Sequence, residues 1–266
     1  MPEGDTIHRA ANRLRPALAG RVLARFEAAR AVGPRPKVGS TVTEVEAKGK
    51  HLLIRFSDGV TLHTHMRMVG TWHLYRPGSR WRLPGHLARA VVGVEGWEAV
   101  CFKAPVVELY REPPAHLPQP LAHLGPDLCL EDPPVDEVLD RLAARVDTDA
   151  EIGPTLLDQQ VAAGIGNVFK SEVLWACGVD PFAKVVDLDP DTRRRLVTTA
   201  ARQLRANVDT VGERTTVPGG LAVYGRRGQP CRRCGTPVAK ALQGEDPRLT
   251  YWCPTCQPPV ASEPAP

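Results

Sequence analysis

The sequence predicts an α+β chain in three parts: a β-rich domain, a helical domain and a small cysteine-bearing module. Three observations predict it. From residue 21 to about residue 110 the chain reads as strands, after which a proline-rich stretch, Arg111–Pro134, interrupts the pattern. Beyond the prolines, apolar residues recur at helical spacing. From about Tyr224 onward, four cysteines fall in two close pairs.

Each element has a local reason. Ile7, Ala10, Ala11, Leu14 and Leu18 share one helical face, with Asp5 suited to the start and Gly20 to the end, so a short amphipathic helix spans Asp5–Leu18. The best strands are His51–Ser57 and Val60–His65, joined by Asp58-Gly59 as a two-residue hairpin turn. Ala88–Val94 and Glu98–Phe102 follow. Helices are expected at Val135–Val146, from Pro154, at about Asn167–Cys177, and at Asp189–Asn207. Proline suits a first helical turn because its missing N–H has no partner there. The expected domains are 1–112, 135–223 and 224–258, with a linker at 113–134 and a disordered tail at 259–266.

Composition excludes some classes and permits others. The 266 residues suffice for one large domain or two ordinary ones. Nothing approaches the apolar run that crosses a bilayer, and no basic region precedes an apolar stretch at the start, so a membrane anchor or signal peptide is not expected. A net charge of +4 says little, but arginine in preference to lysine permits phosphate recognition. A reducing compartment follows, in which paired cysteines hold metal; Cys101, Cys129 and Cys177 stand apart and read as inert.

Several motifs carry chemistry. Cys231-Arg232-Arg233-Cys234 and Cys253-Pro254-Thr255-Cys256 form a zinc-ribbon pattern, and four thiolates close a tetrahedral site, so the metal is structural. Between them, Gln243-Gly244-Glu245-Asp246-Pro247-Arg248 reads as a hairpin whose arginine is either a solvated charge or a phosphate ligand. Residues 156–175 place two short helices around Gly164-Ile165-Gly166-Asn167. That turn is either an ordinary corner or a phosphate site at a helix N-terminus. Lys48 and Lys50 precede a strand, as exposed gatekeepers do. His63 and His65 share a strand face without a third ligand nearby, which favours a structural role. Met68 is either packed in the core or exposed at a loop tip as a wedge between bases. The opening Met1-Pro2-Glu3-Gly4 is either a plain start before a helix or, once methionine is trimmed, a free secondary amine at Pro2.

Together these features resemble the Fpg/Nei (formamidopyrimidine-DNA glycosylase/endonuclease VIII) family of DNA glycosylases. The resemblance rests on the Pro-Glu-Gly start, the lysine before the hairpin strands, the Leu-Leu-Asp-Gln…Ala-Gly-Ile-Gly-Asn segment and the terminal cysteine pairs, in the family's order over most of the chain. It implies an N-terminal β-sandwich with flanking helices, a helix–two-turn–helix domain and a C-terminal zinc finger with one structural Zn2+. It implies a bifunctional glycosylase and abasic-site lyase acting on double-stranded DNA as a monomer in the bacterial cytoplasm, associated with the nucleoid.

Position by position, the resemblance makes Pro2 the nucleophile at C1′, Glu3 the acid that assists ring opening, and Lys50 a phosphate-contacting lysine that assists base loss. Asn167 and Arg248 match phosphate-gripping residues, and Met68, with Arg67 beside it, lies where the family fills the gap left by a flipped base. Phe102-Lys103-Ala104-Pro105-Val106-Val107-Glu108 stands where Fpg proteins carry an Arg-Arg-Phe-Gly-like element, so the Nei branch and oxidised pyrimidines are expected. Asp5-Thr6 replaces the family's Pro-Glu, which removes a carboxylate at Thr6, as in the actinobacterial second Nei subgroup. That position is tied to base removal more than to cutting an abasic site. A lyase with weak excision and a catalytically silent damage binder are the rival readings. The intact Pro2, Glu3 and Lys50 set argues against the silent binder.

Overall fold

Strand alternation and one apolar helix face build the first unit. The structure is a computed structural model that describes residues 2–111, 119–146, 148–210 and 212–259; the expected tail beyond 259 and the start of the expected linker lie outside the described residues. The chain divides into two units, 1–122 and 123–266. In the first, α1 (Gly4–Leu18) precedes β1 (Leu23–Glu27), β2 (Val42–Lys48), β3 (His51–Phe56), β4 (Val60–His65), β5 (Thr71–Tyr75), β6 (Ala88–Val94), β7 (Trp97–Phe102) and β8 (Val106–Arg111). Two antiparallel sheets result, in the orders β1-β6-β7-β5 and β2-β3-β4-β8. Leu23, Val92 and Cys101 of one share a core with Val45, Ile54 and Leu62 of the other, the packing of a β-sandwich. Ile7, Ala11, Leu14 and Leu18 of α1 enter the same core.

The β3–β4 hairpin corrects one sequence expectation. Its connection has three residues, Ser57-Asp58-Gly59, with Gly59 at φ 79°. A glycine in the left-handed region after a tight turn produces a three-residue loop with a bulge. His51 therefore pairs with His65, where a two-residue Asp58-Gly59 turn pairs it with Met66. A one-residue slip reverses which side chains share a face. His51, His63 and His65 thereby come to lie on one face of the sheet.

After the short α2 (Gln119–Ala122), the second unit contains α3 (Val135–Ala143), α4 (Ile152–Leu157), α5 (Asn167–Cys177), α6 (Pro190–Val208) and the hairpin β9 (Ala239–Gln243)–β10 (Arg248–Trp252). α4 starts two residues ahead of Pro154, because the Ile152 and Gly153 N–H groups find partners in the Ala183 and Pro181 carbonyls. Asp189 caps α6 by accepting from the Thr192 N–H at 2.7 Å. Within the stretch expected as a linker, Leu128 and Cys129 are fully buried in the core formed with Val138, Leu156, Phe169 and Leu196. Among the described residues no helix is long and apolar enough to cross a membrane.

The loop after β4 is built on Met66, 1% exposed, and closes through the Gly70 N–H to the Met66 carbonyl at 2.8 Å. A Cβ at Gly70 would lie 2.7 Å from both Cα and O of Met66. Gly70→Ala must push that backbone aside, with an expected loss of about 1–3 kcal/mol in urea unfolding. Unchanged stability would show that the loop gives way freely.

Candidate active site and DNA interface

The N-terminal site is held by packing. Glu3 is the residue before α1, only 1% exposed, and its carbonyl accepts from the Thr6 and Ile7 N–H groups. Its side chain makes no capping bond. A cap contributes about 1 kcal/mol. Burying Ile7, Leu14 and Leu18 contributes about 1.5–3 kcal/mol each, so the core fixes the terminus. Pro2 stands half-buried just ahead. Asp5 is fully buried, accepts from the Thr6 hydroxyl at 3.1 Å and faces Arg9 at 3.7 Å. Thr6 instead lines a cavity of about 190 Å³ with Arg9, Arg13, Met66 and Trp72.

Lys50 is half-buried in the turn between β2 and β3, whereas Lys48 is exposed. The β3–β4 pairing gathers three imidazoles on one face of the sheet. His51 Nδ1 lies 2.8 Å from His63 Nε2, and His63 Nδ1 lies 3.0 Å from a Glu108 carboxylate oxygen. The His51 and His65 rings meet edge to face at 4.7 Å. Burial pushes His51 down to about 3, helped by the charges of His63, His65 and Lys50. Burial likewise lowers His65 to about 4, with Arg67, His63 and Lys50 adding to it. The structural role expected for His63 and His65 gains a partner, because the hairpin register brings His51 to the same face; these three are not among the described groups that could hold a metal ion.

Past His65 the loop turns outward. The Arg67 N–H donates to His65 Nδ1 at 3.1 Å, and Arg67 takes a left-handed φ of 43°. Met68 and Val69 are 62% and 59% exposed, which excludes core packing for Met68.

In the second unit α5 organises the candidate phosphate site. The Asn167 amide donates to the Leu249 carbonyl at 2.7 Å, and the buried Lys170 ammonium donates to Thr250 Oγ1 at 2.6 Å. These bonds bring the α5 N-terminus to β10, where the neighbouring Arg248 is 57% exposed and paired with Asp246. Gln159 spans the turn before α5, donating to the Leu157 and Ile165 carbonyls and accepting from the Gly164 N–H. Glu172 accepts from the backbone N–H groups of Ala222, Val223 and Tyr224 and from the Thr216 hydroxyl. Sequence reasoning missed Gln159, Lys170 and Glu172. Their signal was polar side chains inside an apolar helical segment, where each needs a partner once buried.

Cys231, Cys234, Cys253 and Cys256 bring their sulfurs within 4.8 Å of one another. The Cys234–Cys253 and Cys231–Cys256 pairs are 3.4 and 3.9 Å apart. Zinc–sulfur bonds of about 2.3 Å in a tetrahedron put sulfurs about 3.8 Å apart, so the set fits a closed, structural zinc. Trp175 of α5 donates its indole N–H to Cys231 Sγ at 3.3 Å, and the Arg233 guanidinium stacks 4.2 Å above that ring. One equivalent of zinc is expected by metal analysis. Trp175→Phe, which removes the donor, should release it to a chelator about tenfold faster. Release at the unaltered rate would leave the indole a packing group only.

Acid should weaken the first unit through the histidines. An unfolded imidazole titrates near 6.5. Folded His51 titrates at about 3, so between these pH values the unfolded chain binds a proton that the fold refuses. Stability should therefore fall as pH drops from 6.5 toward 3. His51→Asn should flatten that slope in denaturant titrations, and an unchanged slope would assign the acid sensitivity elsewhere.

Comparison with known proteins supports the same architecture. Residues 1–105 match the formamidopyrimidine-DNA glycosylase N-terminal domain and 124–218 its H2TH domain. Residues 228–259 match the zinc finger found in FPG and IleRS. "Probable endonuclease 8 2" of Streptomyces coelicolor is 45% identical, covering 99% of this chain and 96% of that one. "DNA-(apurinic or apyrimidinic site) lyase Nei2" of Mycolicibacterium smegmatis is 36% identical, covering 97% and 99%. The structure of the MutM (Fpg) protein of Thermus thermophilus superposes with a TM-score of 0.78 at 28% identity, covering 96% and 98%. With the sandwich, the α5–β10 junction and the four-cysteine cluster, these full-length matches establish that the chain belongs to the Fpg/Nei family of DNA glycosylases and abasic-site lyases.

Proposed function

We propose that this chain is a bifunctional enzyme of base excision repair that removes oxidised pyrimidines and cuts abasic sites through a Schiff base on Pro2. The observation that carries it is the placement of Pro2 and buried Glu3 directly ahead of α1. A chain-terminal amine has a reference pKa of about 8, far below a lysine's. The positive end of α1 next to it disfavours its protonation, which raises the neutral, nucleophilic fraction.

Once Met1 is trimmed, the Pro2 secondary amine attacks C1′ of a flipped nucleotide, the glycosidic bond breaks, and the base leaves with the amine's proton. The resulting iminium acidifies C2′. Loss of that proton breaks the C3′–O bond by β-elimination, and a second elimination breaks the C5′–O bond. Glu3 protonates the opening sugar ring, and Lys50 contacts phosphate and assists base departure. Such acid–base groups contribute about 10²–10⁴-fold each. Met68, with Arg67 beside it, fills the gap in the stack; its exposure at the loop tip supports this role. Arg248 exchanges Asp246 for a backbone phosphate, and Asn167 at the α5 N-terminus grips it alongside. The chain acts as a monomer on duplex DNA in the cytoplasm.

A second reading, an abasic-site lyase with weak excision, is favoured by Thr6; one relative is named a DNA-(apurinic or apyrimidinic site) lyase. Excision demands flipping and expulsion of a base before any elimination. A missing carboxylate therefore lowers excision before it lowers strand cleavage. Borohydride should trap the protein on abasic DNA with the crosslink on the N-terminal peptide; a crosslink on Lys50 overturns the Pro2 assignment. Thr6→Glu should speed removal of thymine glycol and leave abasic cleavage unchanged. Wild-type excision as fast as abasic cleavage would reject the second reading, and efficient removal of 8-oxoguanine opposite cytosine would reject the pyrimidine preference. Arg248→Ala should flatten the dependence of log affinity on log salt by about 0.9, the share of one phosphate contact. An unaltered slope would place Arg248 outside the interface.

A further inference from the structure

The hairpin that carries Arg248 is fastened at its tip through the residue facing that arginine. Arg248 and Gln243 are direct cross-strand partners, so their side chains leave the same face of β9–β10. Thr250, two residues on from Arg248, shares that face. Arg248 is exposed, whereas Gln243, Thr250 and Lys170 of α5 are buried. The Lys170 ammonium can only donate, so Thr250 Oγ1 accepts from it at 2.6 Å and gives its own proton to Gln243 Oε1 at 2.8 Å. Gln243 is thereby fixed in one orientation. Its Nε2 donates to a Glu151 carboxylate oxygen at 2.8 Å and to the Pro181 carbonyl at 2.7 Å. Turning the amide over would set its oxygen against those two acceptors. The backbone makes room for this side chain: a Cβ at Gly153 of α4 would lie 2.5 Å from Gln243 Oε1 and 2.9 Å from Nε2.

We propose that Gln243, locked by Thr250 and Lys170 on one side and by Glu151 and Pro181 on the other, is a positioning residue that fixes Arg248 for a DNA phosphate. The inference rests on the reading above that Arg248 grips such a phosphate. A two-stranded hairpin is marginal in water unless something else holds it. The exposed Arg248–Asp246 pair joins two residues of the tip to each other and contributes little. Gln243 instead ties the tip to the start of α4, at the position directly across from Arg248. Gln243, Glu151, Lys170 and Arg248 line one cavity of about 690 Å³, so the lock and the arginine border the same space. An arginine whose backbone is already held loses less freedom when it takes a phosphate, which strengthens binding without a further contact.

Gln243→Met tests this in the full-length, zinc-loaded protein, because it keeps the length of the side chain and removes its polar atoms. Amide hydrogen exchange over residues 243–248 should speed up while the zinc content stays at that of wild type. Affinity for abasic duplex should fall about fivefold, the scale of one ordinary hydrogen bond. In an Arg248→Ala background the same substitution should cost nothing further, which a general loosening of the fold would not produce. Gly153→Ala, on another element, should reproduce both effects by driving Gln243 from its place. Wild-type exchange or wild-type affinity in Gln243→Met overturns the proposal. So does a fivefold loss that persists in the Arg248→Ala background. If Arg248→Ala alone binds like wild type, the phosphate reading has failed, and exchange at the hairpin tip then decides by itself whether Gln243 holds it.

Discussion

Burial holds the start of the first unit: Glu3 is 1% exposed and the apolar face of α1 lies in the sandwich core, so the residues ahead of the helix are fixed by packing. With Met1 trimmed, only Pro2 and Glu3 would precede α1, and burial of Glu3 leaves that link little slack. The helix is anchored by apolar side chains in the sandwich core, not by a side-chain cap. The strands that complete this core also carry Lys50, the histidines and the Met66–Gly70 loop on their ends and outer face. One core therefore sets the position of both the chain end and the groups it would act with.

In the second unit a single helix takes that part. Along α5, Asn167 and Lys170 reach β10, Glu172 holds the backbone of residues 222–224, and Trp175 reaches a zinc ligand. These side chains leave the helix in different directions, so α5 is buried on most of its circumference and lacks a clear apolar stripe. The zinc site and the hairpin bearing Arg248 are thus fastened to the same rod. Zinc held by Cys253, the residue directly after β10, would tie the Arg248 hairpin to the finger.

The elements with strong local signals were legible in the sequence: α1 from its stripe, α6 from its helical spacing, the cysteine cluster from its spacing. For Pro2 and Asn167 the residues alone left two readings open, and for Lys50 they offered only a gatekeeper; the catalytic and phosphate-binding expectations came through resemblance, because a proline, a lysine or an asparagine has no distinctive pattern by itself. The histidine network was not legible, and the reason is one residue of loop length. Read as a two-residue turn, Asp58-Gly59 sends His63 and His65 to the face opposite His51. The three-residue loop brings all three together. Turn geometry, decided by the left-handed Gly59, outweighs residue identity in assembling that cluster.

The replacement of Pro-Glu by Asp5-Thr6 illustrates how charge can be kept while position is lost. Successive residues on a helix point about 100° apart, so an acid at residue 5 cannot occupy the space of one at residue 6. Asp5 lies fully buried against Arg9 and the Thr6 hydroxyl. Thr6 takes the cavity wall, where Arg9 and Arg13 also stand. An acid at residue 6 would meet those two arginines at the cavity; in this chain the acid faces Arg9 from the interior. The electrostatic balance of α1 is retained, with Asp5 enclosed in the interior. A helix can thus keep its fold and its net charge while moving an acid from the wall of a cavity into the core.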